Sequence, residues 1–250
     1  MIWAWIGALL IGISLGLLGS GGSILTVPVL IYLVGEPEKV AIAESLGIVA
    51  AISLVGAIPY AIRKEVDWKS VFYFGIPGMA GTYGGAALSA YLSGSFQLMI
   101  FAVVMLLAAA MMIRKPKELN TKETTAPIWM LISEGLVVGV ITGLVGVGGG
   151  FLIIPALVLL GGLSMRIAVG TSLFIIAAKS LLGFYKYIDV LAKEDLSINW
   201  QLVLVFTLIG ILGSFIGSKA SQFIPQQQLK RGFGYFLILM GVYILYVNFT

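Results

Sequence analysis

Along this chain apolar residues run in long blocks, and polar residues gather in the short stretches between them. The blocks fall at about residues 2 to 34, 40 to 62, 69 to 91, 95 to 114, 127 to 161, 165 to 187, 200 to 222 and 228 to 249. Most are near the roughly 20 residues a helix needs to cross a bilayer core about 30 Å thick, so they predict membrane-spanning helices. The first and fifth are too long for one straight crossing, since more than about 30 residues at about 1.5 Å each would reach about 50 Å. Glycines interrupt both near the middle: Gly19-Ser20-Gly21-Gly22-Ser23 in one, Gly146-Val147-Gly148-Gly149-Gly150 in the other.

These two segments are copies of each other. Gly16, Leu17, Gly19, Gly21, Gly22, Leu25 and Pro28 recur at a constant offset as Gly143, Leu144, Gly146, Gly148, Gly149, Leu152 and Pro155. The likeness continues through Ser45-Leu46 with Ser172-Leu173, Ser53-Leu54 with Ser180-Leu181, and Gly56 with Gly183. After a short insertion Asp67-Trp68 matches Asn199-Trp200, and Gly81 and Gly85 match Gly213 and Gly217. A duplication follows, with a first transmembrane repeat at 1–113, a cytoplasmic polar linker at 114–126 and a second repeat at 127–250.

Basic residues discriminate between two topologies. If each long segment crosses once, Lys and Arg divide nine to five between the two sides, leaving out Lys179 within a span. If each is a re-entrant hairpin that turns at its glycines, each half has three full crossings, the halves are inverted, and the division becomes eleven to three. Positive charge concentrates on the cytoplasmic side of inner-membrane proteins, which favours the hairpin with both termini outside. The expected fold is therefore an all-α integral membrane protein of two inverted repeats, each a Gly-broken re-entrant hairpin plus three transmembrane helices.

Composition agrees: 60% of the 250 residues are hydrophobic, 10% are charged and the mean hydropathy is +1.08, too apolar to cover a water-exposed surface. With no His and no Cys, the chain lacks the usual ligands for zinc, haem, copper and iron-sulfur clusters, and it has no disulfides. No cofactor is expected. Asp67, Asp189 and Asp195 lie in or beside polar loops, which argues against a paired-aspartate intramembrane protease. Enzyme readings start far behind. The net charge of +4 is spread over loops rather than gathered on one face, so the expected surroundings are a lipid bilayer and not a nucleic acid. Met1-Ile2-Trp3-Ala4-Trp5 lacks the basic start of a signal peptide and reads as mature sequence.

Broken helices in inverted repeats are a transporter's architecture, with the substrate held near the midplane where the breaks meet. Glycines also let successive N–H groups converge, which makes an anion-binding concavity at the start of the following half-helix. Gly21, Gly22, Gly148, Gly149 and Gly150 are the backbone candidates, and Ser20, Ser23, Ser45, Thr171 and Ser172 the hydroxyl candidates. The plainer reading for the hydroxyls is a bond back to a helix carbonyl. Lys179 lies about eight residues inside its span, where an ionisable group suggests function. Its plainer alternative is a buried pair with an acid such as Glu134. Glu44 and Glu134 are candidate proton carriers. The pairs Gly12-x-x-x-Gly16, Gly81-x-x-x-Gly85 and Gly213-x-x-x-Gly217 read as close helix packing.

The doubled Gly-x-x-Gly-x-Gly-Gly element with its proline six residues later, and Ala168-Val169-Gly170-Thr171-Ser172-Leu173 after the second copy, resemble the sulfite exporter TauE/SafE family, also called the 4-toluene sulfonate uptake permease family. The likeness covers nearly the whole chain. The first copy departs at Ser20, Ser23 and Ala43-Glu44-Ser45-Leu46. The resemblance implies a multi-pass permease of the prokaryotic inner membrane for small sulfur-containing anions such as sulfite, thiosulfate, sulfoacetate or organosulfonates. Apart from the resemblance, the sequence leaves room for a homo-oligomer and does not give the oligomeric state. The other readings are an anion channel and a membrane scaffold for a partner complex.

Overall fold

The computed structural model describes residues 2–18, 23–113, 127–159, 161–220, 223 and 226–249, and these are helical with short connections. α1 covers Ile2–Leu18. α2 covers Thr26–Val29 and continues as a π-helical turn over Leu30–Val34. Then come α3 (Glu38–Ile62), α4 (Trp68–Leu88), α5 (Gly94–Ile113), α6 (Ile128–Val145), α7 (Gly150–Leu159), α8 (Met165–Ala192), α9 (Trp200–Ala220) and α10 (Gln226–Phe249). Five stretches are long and apolar enough to cross a membrane: Glu38–Ile62, Gly94–Met111, Ile128–Val145, Met165–Ala192 and Trp200–Ala220. The linker expected at 114–126 lies outside the described residues.

Local chemistry sets the helix boundaries, and it does so in matching ways along the chain. Asp67 caps α4 by accepting the Ser70 amide on Oδ2 at 2.9 Å, and Asn199 caps α9 by accepting the Leu202 amide on Oδ1 at 3.1 Å. α3 and α8 both end by turning through a left-handed residue, Lys64 with φ 58° and Asp195 with φ 54°. The freed carbonyls are taken up by the amides of Glu65, which donates to Tyr60 O at 2.8 Å, and Leu196, which donates to Leu191 O at 3.0 Å. The long segment at 127–161 breaks where its glycines predict. Gly146, with φ 72°, terminates α6, residues 147–149 are not helical, and α7 restarts at Gly150.

Glycine decides which helices meet. A side-chain carbon on Gly12 would run into the Gly210 carbonyl, and one on Gly16 into the Ser214 carbonyl, so α1 and α9 touch backbone to backbone. The same holds for α4 and α6, where Gly81 meets Leu136, Gly85 meets Val140, Gly139 meets Gly78 and Gly143 meets Thr82. The packing reading of the glycine pairs therefore holds. In both partnerships the residue numbers rise together, so the helices run parallel.

At the centre α3 and α8 pass antiparallel, Gly47 facing Phe184 and Gly56 facing Leu173. These are the most buried of the five long apolar stretches, whereas the other three keep most of their surface outward. α5 and α10 are also antiparallel, Gly234 lying on Ile113 and Ala109 and Gly241 on Leu106 and Ala102. Ion pairs close both ends of the α3–α8 crossing: Lys39 at the start of α3 pairs with Glu194 beyond α8, and Arg166 at the start of α8 pairs with Glu65 beyond α3 at 3.5 Å. The tryptophans Trp3, Trp68, Trp129 and Trp200 stand exposed at helix starts, where indoles favour a membrane–water boundary.

Candidate functional site

The break between α6 and α7 holds the densest group of the sequence-predicted residues. Two left-handed glycines build it, Gly146 and Gly149, the latter with φ 70°. An L residue is disfavoured at either, and at Gly149 there is a second reason. A side-chain carbon there would collide with Thr142 Oγ1 and sit 2.7 Å from Lys179 Nζ. The break is thus pressed against the lysine, and glycine makes the approach feasible.

Lys179 is fully buried in α8. Its Nζ donates to Thr142 Oγ1 at 3.0 Å, while the Thr142 hydroxyl donates onward to Val138 O at 2.7 Å. Its stem passes Gly78 of α4, where a side-chain carbon would lie 3.8 Å from Lys179 Cδ. Among the described residues no acid pairs with it, and Glu134 is not its partner. An ammonium has three hydrogens to place, and one of them meets Thr142. Because α7 begins at Gly150, the amino group also lies beside the amide-rich end of a helix, where partial positive charge collects. Two positive features converge on one spot, an arrangement that suits an anion.

The other candidates divide. Ser23 is buried and approaches the second break, its Oγ 3.3 Å from where a side-chain carbon on Gly148 would be. Val49 of α3 and Ile176 of α8 reach the same point, each with a methyl at 2.8 Å. Ser45 Oγ lies 2.8 Å from Ile42 O and 2.5 Å from Gly146 O, which ties α3 to the break. Ser172 donates to Val169 O at 2.8 Å. Thr171 Oγ1 accepts the Asp67 amide at 2.9 Å, and Glu44 Oε1 accepts the Asn199 amide at 2.8 Å. These two contacts are counterparts, since Thr171 aligns with Glu44 and Asn199 with Asp67. Both lie at helix–loop junctions, with Thr171 about 12 Å along α8 from Lys179 by helical rise. One carboxylate oxygen of Glu44 and one of Glu134 is buried without a partner among the described residues. Ser20, Gly21 and Gly22 lie outside the described residues.

Two residues escaped the sequence reading. Thr142 is one turn before Gly146 and needs the fold to meet Lys179. Gly78, beside Pro77 in α4, makes room for α6 and the lysine stem.

Comparison with known proteins bears on this arrangement. The model of the family described as "Sulfite exporter TauE/SafE" matches residues 4–244. A probable membrane transporter protein of Xylella fastidiosa is 30% identical over 244 residues, covering 95% of this chain and 92% of its own. One from Haemophilus influenzae is 28% identical over 248 residues, covering 93% of each chain, and YunE of Bacillus subtilis, also named a probable membrane transporter protein, is 29% identical over 257 residues, covering 92% of each. No solved structure matches. Matched along nearly its whole length, and folded as apolar helices around a glycine-broken segment, the chain belongs to the sulfite exporter TauE/SafE family of probable membrane transporters.

Proposed function

We propose that the protein is a multi-pass permease of the prokaryotic cell (inner) membrane that moves small sulfur-containing anions, of the sulfite, thiosulfate or organosulfonate class, by alternating access. Lys179 is the observation that carries this reading: a fully buried amine, held by a neutral hydroxyl, with no acid beside it among the described residues. A buried cation without a resident partner is best satisfied by an anion that enters and leaves. Gly148, Gly149 and Gly150 add backbone donors at the start of α7, and Ser20, Gly21, Gly22 and Ser23 add theirs from the first break. Of the other hydroxyl candidates, Ser45 braces the break through Gly146 O, while Ser172 donates to Val169 O and Thr171 stands about 12 Å along α8 from Lys179, so those two lie outside the lysine's site.

In this proposal residues 1–113 and 127–250 are inverted repeats joined by a cytoplasmic linker at 114–126, which supply the two access states. Two observations support the inversion. The sequence-matched helices α3 and α8 run antiparallel, as an axis in the membrane plane requires. Given that α3, α4, α5 and α8 each cross, Lys39 and Glu194 share one membrane face, and Arg166 and Glu65 the other, only if the second Gly-broken segment leaves on the side it enters. Glu44 and Glu134, each with a buried oxygen that has no partner among the described residues, are the proton carriers if transport is coupled.

Reconstitution into proteoliposomes tests the reading with sulfite, sulfate, thiosulfate, sulfoacetate and chloride, with and without a pH gradient. Saturable flux of a sulfur anion is expected. Its absence from folded protein for every sulfur anion would move the substrate to another class or favour a scaffold.

A further inference from the structure

Ser53 and Ser180 stand at the same position in the two copies of the sequence, and both side chains are fully buried. Neither hydroxyl oxygen has a hydrogen-bond partner among the described residues. A serine within a helix ordinarily turns its hydroxyl back to a carbonyl one turn earlier. Ser14, Ser45, Ser89, Ser172 and Ser214 do so here at 2.7–2.8 Å. A buried hydroxyl without a partner forfeits the bonds that water would give it, so it calls for an explanation. Two such hydroxyls at matched positions call for a common one.

Helical spacing puts Ser53 on the face of α3 that carries Val49 and Gly56, and Ser180 on the face of α8 that carries Ile176 and Gly183. Those faces meet. Gly56 lies opposite Leu173 and Gly183 opposite Leu46, while Val49 and Ile176 converge on Gly148. The two serines therefore flank the middle of the α3–α8 crossing, next to the glycine break. Lys179, the neighbour of Ser180, points a quarter turn or so away toward α6, where it meets Thr142. Amine and hydroxyl thus line adjacent sides of one turn.

We infer that Ser53 and Ser180 form a hydroxyl clasp for the oxygens of the transported anion, one O–H from each half of the chain. This rests on the permease reading above and adds a rule of selection. Two donors placed about a two-fold axis suit an anion that offers two oxygens at once, as sulfite or a sulfonate does. A halide is a single spherical acceptor in place of two separated oxygens, so it would meet the two hydroxyls with poorer geometry than an oxyanion does.

The test is Ser53→Ala, Ser180→Ala and the double variant in proteoliposomes, with labelled sulfite and sulfoacetate as probes, chloride as the halide, and the exposed Ser133→Ala as control. Since neither hydroxyl has a partner among the described residues, alanine should leave the melting temperature of the empty protein unchanged or raise it, and misfolding does not confuse the result. In each single variant the KM for sulfite should rise about tenfold, and further in the double, with a smaller sulfite-induced rise in melting temperature and weaker preference over chloride. A double variant whose KM stays within about twofold of wild type, while wild type transports, overturns the clasp and leaves the permease standing. A clear fall in the empty variants' melting temperature also overturns it, because the hydroxyls would then have partners within the protein. If wild type moves no sulfur oxyanion at all, the permease reading fails and the clasp with it.

Discussion

Replacing Lys179 with methionine should move stability and ligand affinity in opposite directions. Methionine keeps most of the length and volume of the stem that runs past Gly78, so the packing between α4, α6 and α8 survives. It removes an amine that is 0% exposed and has Thr142 Oγ1 as its one hydrogen-bond acceptor among the described residues. Thr142 keeps its own bond to Val138 O at 2.7 Å, so no donor is orphaned by the change. Exchanging a buried ion pair for apolar residues of similar size is often neutral or stabilising by roughly 1–4 kcal/mol, and a lone buried amine, whose desolvation no acid offsets, should gain in the same range. At about 2–4 °C per kcal/mol for a chain of this size, the empty protein should melt several degrees higher. For the anion, losing a hydrogen bond to a charged partner costs about 1.5–3 kcal/mol, or roughly tenfold to 150-fold in Kd. Thermal melting of purified protein in detergent, with and without sulfite, reads both quantities in one experiment. A variant that melts lower when empty and gains as much from sulfite as wild type would refute the reasoning and make Lys179 a structural residue.

Other positions give sharper or simpler readouts. Gly149→Ala forces an L residue to φ 70° and drives its methyl into Thr142 and Lys179, so flux should be lost while the protein is still inserted, as uptake beside membrane-fraction blotting will report. Gly81→Ala pushes a methyl against the Leu136 carbonyl and within 3.0 Å of the Val140 amide, whereas a methyl on Gly84 of the same helix meets nothing within 4 Å. Gly81→Ala should therefore lose about 1–3 kcal/mol by overpacking while Gly84→Ala stays near wild type, a contrast that paired melting curves will show. Glu44→Gln keeps an oxygen to accept the Asn199 amide at the junction with α9 but removes the ionisable oxygen that has no partner among the described residues. If Glu44 carries the coupled proton, sulfite flux should persist and lose its response to a pH gradient in reconstituted vesicles.

The helices and the break between α6 and α7 were legible because hydropathy and glycine act locally. A run of about 20 apolar residues needs no tertiary information to be read as a span, and Gly146 needs only its φ to stop a helix. Lys179 stood out for the same reason, as one charge in an apolar block. Which residues meet it was not legible. Thr142 looks like any hydroxyl turning back to its own helix, and only the parallel contact of α4 with α6 carries it to α8. Thr171 and Ser172 attract attention as neighbours, and Ser45 as the repeat counterpart of Ser172, yet helical geometry points neighbouring residues in different directions. Ser45 reaches Gly146, Thr171 reaches Asp67 and Ser172 turns back to Val169. Glycine pairs announced close packing, but nothing in their spacing says that α1 should choose α9 or that α6 should choose α4.

Those two partnerships also dictate an order of assembly. The glycine face of α1 is covered by residues that lie about 200 positions further along the chain, and at about 5–20 residues per second they emerge roughly 10–40 s later. During that interval a groove too narrow for side chains stands open to lipid or to the insertion machinery. α4 waits far less, since its partner α6 follows after one helix and the linker. Biogenesis therefore has an early event, the closing of α4 on α6, and a late one, the return of α9 to α1. Until the second is complete the nascent protein is a partly zipped intermediate, and a defect in α9 will be felt first as failed assembly rather than as altered transport.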